Sequence, residues 1–249
     1  MEDILLYFSL KYKGQFDLIY KALERKERVD ESLKEELFKT IKSSYTTIIS
    51  DDYPQQLKYI NCPPFVLYYY ASLSLLDKDC IAVIGKRDCS EYGVQATRVL
   101  VKELVKNDIV IVSGMAKGID GVSHRTAIRS KGHTVAVLGS GIDYPYPPMN
   151  EDLYYVLKNE LVLSEYPGST PPRKDHFPKR NRIISGLSQK LLVTEADLKS
   201  GTMITVGFAL EQGKDVFAVP GRVYDSKGCN ALIQQGAKLV MNVEDILEE

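Results

Sequence analysis

The sequence predicts an α/β protein organised around a mostly parallel, doubly wound sheet, and three observations carry that expectation. Short apolar, β-branched runs recur at residues 81–84, 109–112, 134–138, 161–163, 191–194, 216–219 and 239–241. Amphipathic stretches separate most of them, at 92–106, 120–130, 150–159 and 203–212. The runs are continuously apolar instead of alternating, which is the pattern of strands covered on both faces. Right-handed crossovers then give an extended Rossmann-like sheet whose ligands sit at the strands' C-terminal ends.

The front of the chain reads differently. Residues 1–10, 15–27 and 31–43 place apolar side chains three and four apart, as in Leu33, Leu37 and Ile41. Asp30 with Ser32 supplies a helix start before the third stretch. Residues 1–50 are therefore expected as a small helical domain and 51–79 as a linker. Pro63 and Pro64 disfavour helix within that linker and lead into a short extended segment at 65–70. Residues 80–249 make up the expected Rossmann-like domain.

Composition narrows the function classes. The 249 residues are 44% hydrophobic and 26% charged, ordinary values for a soluble globular chain. No run approaches the roughly 18 apolar residues of a membrane-spanning helix. The first ten residues carry two acids and no base, unlike the start of a signal peptide. Cys62, Cys80, Cys89 and Cys229 show neither CxxC spacing nor a dense framework, so they are expected as buried thiols in the cytoplasm. The formal charge of −1 taken alone disfavours nucleic acid as a ligand.

Small residues cluster where the strands end: Gly85-Lys86-Arg87, then 113–120 (SGMAKGID), Gly139-Ser140-Gly141, and Ser200-Gly201-Thr202. Such turns let a backbone approach a phosphate, and 113–118 is the best candidate. A glycine at a strand–helix turn more often only satisfies backbone geometry. Familiar nucleotide motifs fail. Tyr144 stands where GxGxxG needs its third glycine, and no GxxxxGK[ST] occurs. His124, His133 and His176 form no metal-ligand spacing, and there is no G-x-S-x-G elbow. His124 with Asp120 one turn before it has the form of a base and its orienter, but a structural histidine is the better expectation. Glu195 is expected as an anchor for a helix or loop. No cofactor and no catalytic residue is expected.

One segment departs from the charge balance. Residues 171–190 hold Arg173, Lys174, Lys179, Arg180, Arg182 and Lys190 against Asp175 alone, a local charge of +5 that leaves −6 for the rest. Read as a basic loop, it sets Phe177 between Lys174 and Arg180 at three-residue spacing. Cations for phosphates with a ring for base stacking suit single-stranded nucleic acid. Asn181 adds a further polar contact to phosphate or base edge.

Taken in order, these motifs resemble the DNA-processing protein A family (DprA, also called Smf). The resemblance rests on G-x-R at 85–87, SGxAxGID at 113–120 with His124 downstream, and FPxRNRIIxGLS at 177–188. It continues through SGT at 200–202, VFAVPG at 216–221 and GxNxLIxxGA at 228–237, and covers the chain from about residue 52. It implies a non-enzymatic protein that binds and protects single-stranded DNA and loads RecA in natural transformation. It also implies a homodimer formed through the Rossmann-like domains. Carried across by motif, the binding candidates are Arg87, Lys86, Ser113, Gly114, Lys174, Phe177, Arg180 and Asn181, with the 113–114 turn offering backbone N–H groups. Lys86 departs from the small residue usual there. The chain's end after 243–249 implies a short form without the family's C-terminal winged-helix domain. The competing expectation is a nucleotide phosphoribohydrolase. Ser200-Gly201-Thr202 resembles part of the PGGxGTxxE motif, but the PGG is missing and Thr205 replaces the glutamate. A pure protein-interaction scaffold is the third.

Overall fold

The computed structural model describes residues 1–224 and 226–248; Asp225 and Glu249, the last residue of the expected Rossmann-like domain, lie outside the described residues. Three helices open the chain: α1 (Glu2–Lys11), α2 (Phe16–Glu24) and α3 (Glu31–Phe38). Asp30 caps the third as expected, accepting the Leu33 N–H at 3.1 Å. Two strands follow, β1 (Ser44–Thr47) and β2 (Val66–Ala71). From there strand and helix alternate: β3 (Cys80–Gly85), α4 (Glu91–Lys106), β4 (Val110–Ser113), α5 (Ile119–Arg129), β5 (Thr134–Val137), α6 (Glu151–Leu157) and β6 (Leu161–Ser164). The second half holds α7 (His176–Gly186), β7 (Lys190–Glu195), α8 (Gly201–Glu211), β8 (Asp215–Ala218), α9 (Lys227–Gln234), β9 (Lys238–Leu239) and α10 (Glu244–Leu247).

Among the described residues, all nine strands join one sheet in the order β1-β2-β6-β5-β4-β3-β7-β8-β9. Every neighbouring pair from β6 to β9 is parallel. The pairs β1–β2 and β2–β6 are antiparallel. The extended Rossmann-like, mostly parallel fold is thus present. Residues within a strand alternate between two buried layers. Ala82 and Ile84 face α7, α8 and α9 through Ile183, Ile184, Val206 and Leu232. Ile81 and Val83 face α4 and α5 through Leu100, Leu104 and Ala127. With both faces covered, β4, β5 and β6 are buried at every position, which leaves them no room for polar alternation.

Two expectations need correction. The extended segment at 65–70, placed in a linker, becomes β2 and pairs with β6. The front helices pack on that part of the sheet: Leu6 and Leu10 share a core with Tyr68, Ala136 and Val162, and the buried Tyr68 hydroxyl donates to Ser9 Oγ at 3.0 Å. The stretch 171–190, read as a loop, is helical over α7. Ile183, Ile184 and Leu187 are buried against the sheet, and the surrounding cations obscured that apolar face.

Candidate nucleic-acid interface

The chain winds outward from β3 in both directions, through β4, β5 and β6 on one side and β7, β8 and β9 on the other. The C-terminal end of β3 is therefore the topological switch point, where doubly wound sheets open a crevice. The turn after β3 is locked by backbone contacts. Lys86 N–H donates to the Glu195 carbonyl at 2.8 Å, and Ile119 N–H to the Lys86 carbonyl at 3.2 Å. Gly118 makes this approach possible. At φ +81° it adopts the left-handed region, and a Cβ there would lie 2.3 Å from the Lys86 oxygen.

This locked turn projects Arg87 into solvent, with its guanidinium carbon 5.7 Å from the centroid of the Phe177 ring. Phe177, in the first turn of α7, is half-buried because one side of the ring rests on Gly139. A Cβ at that glycine would come within 2.7 Å of the ring. Tyr146 extends the surface, its ring 5.6 Å from Phe177 and tilted by 37°, with 37% of the residue exposed. Two rings and a guanidinium thus form one partly open, cation-edged aromatic surface at the switch point.

The floor beneath it is internally satisfied. Arg180 is only 3% exposed, so it is not the solvent-facing cation that its spacing suggested. Its guanidinium donates to the Gly114 carbonyl at 2.7 Å and to the Val137 carbonyl, and its Nε donates to Asn181 Oδ1 at 3.2 Å. Burial pulls its pKa down to about 10, against the favourable field of Asp120. The 113–118 turn is likewise not an open anion cradle. The backbone N–H groups of Gly114 and Ala116 already bond the buried Asp120 carboxylate, whose pKa burial raises while Arg180 opposes the shift. Ser113 is fully buried and donates its hydroxyl to the Val83 carbonyl at 2.7 Å.

The remaining candidates divide. Lys86 pairs with Asp197 at 3.0 Å, which raises its pKa, so it clasps the β3 and β7 turns. Asn181 reaches the Gly201 carbonyl at 3.4 Å and ties α7 to the start of α8. Lys174 is exposed just before α7, and among the described residues neither it nor Arg87 makes an ion pair. Elsewhere in the basic stretch, Arg173 pairs with Asp175 at 3.1 Å, and Lys179 lies 3.8 Å from both Asp17 and Asp175. Arg182 is buried in a bidentate pair with Glu165 at 3.0 and 2.7 Å. Tyr146 was missed in the sequence, although its signal was legible as an aromatic between two prolines after the Gly139–Gly141 turn.

The anchoring roles hold. Glu195 accepts from the Ser90 N–H at 2.8 Å and its hydroxyl at 3.0 Å, fixing the start of α4. His124 bonds Thr134 at 2.7 Å through Nδ1. Thr134 gives its own hydrogen to the Ile111 carbonyl, so His124 donates from Nδ1 and leaves Nε2 bare. Cys80 and Cys229 are buried free thiols, whereas Cys62 and Cys89 are only half-buried, which corrects the expectation for that pair. Among the described residues no His, Cys, Asp and Glu group has the form of a metal site, and no helix is long and apolar enough to cross a membrane.

Comparison with known proteins agrees with this architecture. The DNA processing protein DprA of Streptococcus pneumoniae is 46% identical over 206 residues, covering 82% of this chain and 73% of the relative. That of Bacillus subtilis is 47% identical over 206 residues, covering 81% and 69%. The X-ray structure of the S. pneumoniae protein superposes with a TM-score of 0.83 at 36% identity, covering 99% of this chain and 95% of that one. A structure of Helicobacter pylori DNA processing protein A, reported for its single-stranded DNA binding mode, gives 0.75 at 33% identity, covering 83% and 95%. The family model for DNA recombination-mediator protein A matches residues 44–249, and the chain belongs to that family.

Proposed function

We propose that this protein binds single-stranded DNA as a recombination mediator, shielding incoming strands and passing them to the RecA recombinase in natural transformation. It acts in the cytoplasm as a homodimer and carries out no catalytic step of its own. The observation that carries this reading is the surface of Arg87, Phe177 and Tyr146 at the switch point, with the unpaired Lys174 preceding α7. A single strand offers bases that stack on rings and phosphates that meet cations; a duplex hides its bases. The DNA-processing names of the relatives, and the single-stranded DNA binding described for the H. pylori protein, support the same ligand. Fluorescence anisotropy with labelled oligo-dT and with a duplex of equal length tests it. Preference for the single strand is expected, and equal or absent binding overturns the reading. RecA filament assembly on oligonucleotides coated with single-strand-binding protein tests the mediator step, which fails if adding this protein leaves assembly unchanged.

A further inference from the structure

Three strand-to-helix turns meet at the switch point, and the protein fills two of them with its own carboxylates. Glu195 accepts from the Ser90 N–H and hydroxyl at the start of α4, and Asp120 holds the N–H groups of the turn before α5. The third turn, at the start of α8, is open. It lies at the end of β7, one strand spacing of about 5 Å from β3, where Arg87 projects. Ser200 stands at its N-cap, yet the Ser200 hydroxyl donates to the Asp197 carbonyl at 2.9 Å and caps nothing. The N–H groups of Gly201 and Thr202 have no hydrogen-bond partner among the described residues. A Cβ on Gly201 would meet no heavy atom within 4 Å, so the space beside these donors is free.

Free N–H groups are common to helix starts; Thr202 is the unusual member. It is only 8% exposed, and among the described residues its hydroxyl has no partner, although buried polar groups are nearly always hydrogen-bonded. Unlike the sealed, unpartnered nitrogens of His124 and His176, this oxygen keeps contact with solvent. Helical side chains tilt toward the N-terminus, so from the first turn of α8 it points at the open end. The surroundings fix the sign of the ligand. The positive end of the helix dipole lies here, and the exposed Lys199 immediately precedes the turn. The acid of the same turn, Asp197, is held by Lys86 at 3.0 Å. Two N–H groups and a hydroxyl at one helix end match an anion with several acceptor oxygens, as a phosphate has.

We propose that the start of α8 is a phosphate subsite, where the Gly201 and Thr202 N–H groups and the Thr202 hydroxyl donate to a phosphate of the bound strand or to a free phosphate. The strand source rests on the DNA-binding function proposed above: the subsite shares the sheet edge with Arg87, and Asn181 ties it to α7. Amide NMR titrations of the isotope-labelled protein, with inorganic phosphate and separately with oligo-dT, test it. The Gly201 and Thr202 signals are expected to move with at least one of the two. Thr202→Val keeps the shape of the side chain and removes only an unpaired hydroxyl. It should melt like the wild type while affinity for the shifting ligand falls about tenfold, the loss of one hydrogen bond to a charged group. Gly201→Asp sets a carboxylate at the helix start, which suits the dipole, so it should block the site without lowering the melting temperature. Signals that stay in place with both ligands overturn the subsite, as does wild-type affinity in a folded Thr202→Val. Should Thr202→Val melt early, Gly201→Asp decides, and retained affinity there overturns the proposal. Movement with oligo-dT that the variants weaken assigns the phosphate to the strand; movement with inorganic phosphate alone assigns it to a free phosphate. Failure of oligo-dT to bind at all contradicts the proposed function, yet phosphate shifts that the variants weaken leave the subsite standing, so the two fail separately.

Discussion

Arg180 and Phe177 are three residues apart on α7 and have opposite environments. Phe177 has one side on Gly139 and another open beside Arg87, so its removal should affect ligand more than fold. Phe177→Ala is expected to weaken oligo-dT binding by about 1–3 kcal/mol with little change in melting temperature. A collapse of the melting transition would instead make Phe177 a core residue. Arg180→Ala should do the reverse. It strips the Gly114 and Val137 carbonyls of their donor and leaves Asp120 buried without its countercharge. Loss of about 3–5 kcal/mol of stability is expected, measured by urea unfolding. A variant as stable as the wild type but weaker for DNA would return Arg180 to the ligand surface. Spacing alone put Lys174, Phe177 and Arg180 in one set; burial separates them, and burial depends on which carbonyls another strand presents.

At the scale of elements, the apolar runs marked β3 to β9 within a residue or two, because strands covered on both faces leave an unbroken signature. β1 was not legible: Ser44–Thr47 is polar and β-branched, and it is a strand only through its pairing with β2. α7 was hidden for a different reason. Six cations in twenty residues resemble a solvated loop, yet two of them, Arg180 and Arg182, are buried, the latter because Glu165 meets it from the end of β6. That pair also sets the position of α7, since the Arg182 Nε donates to the Cys62 carbonyl ahead of β2 at 2.9 Å. Glu165→Gln should strand the guanidinium and destabilise the fold by about 3–5 kcal/mol. An unchanged urea midpoint would show that the pair contributes no more than two apolar side chains. The turn motifs located the right edge of the sheet. They did not show that Asp120 already occupies the best backbone cradle.

Across the whole molecule, acid stability and charge distribution follow from the same packing. Burial holds the His124 pKa at about 3, whereas an unfolded histidine titrates near ~6.5. Between those values the unfolded chain binds more protons, so stability is expected to fall as pH drops from about 6.5 toward 3. His124→Gln should flatten that dependence in urea titrations run from pH 7 to pH 5; an identical slope would mean that the buried His176 and the carboxylates set the acid limb without it. The net charge of −1 also takes on a different meaning. Ion pairs or burial engage Arg173, Lys179, Arg180 and Arg182, and Lys190 donates to the Ile246 carbonyl at 2.5 Å, which leaves Lys174 to join Arg87 from another strand end. The proposed interface is thus two free cations around an aromatic surface instead of a basic patch. A salt titration of oligo-dT affinity for the wild type and the Arg87→Ala/Lys174→Ala double variant tests that claim most directly. The expected result is a folded variant whose log–log slope is shallower by about 1.4, two phosphate contacts at ~0.7 each. Superimposable slopes would contradict it.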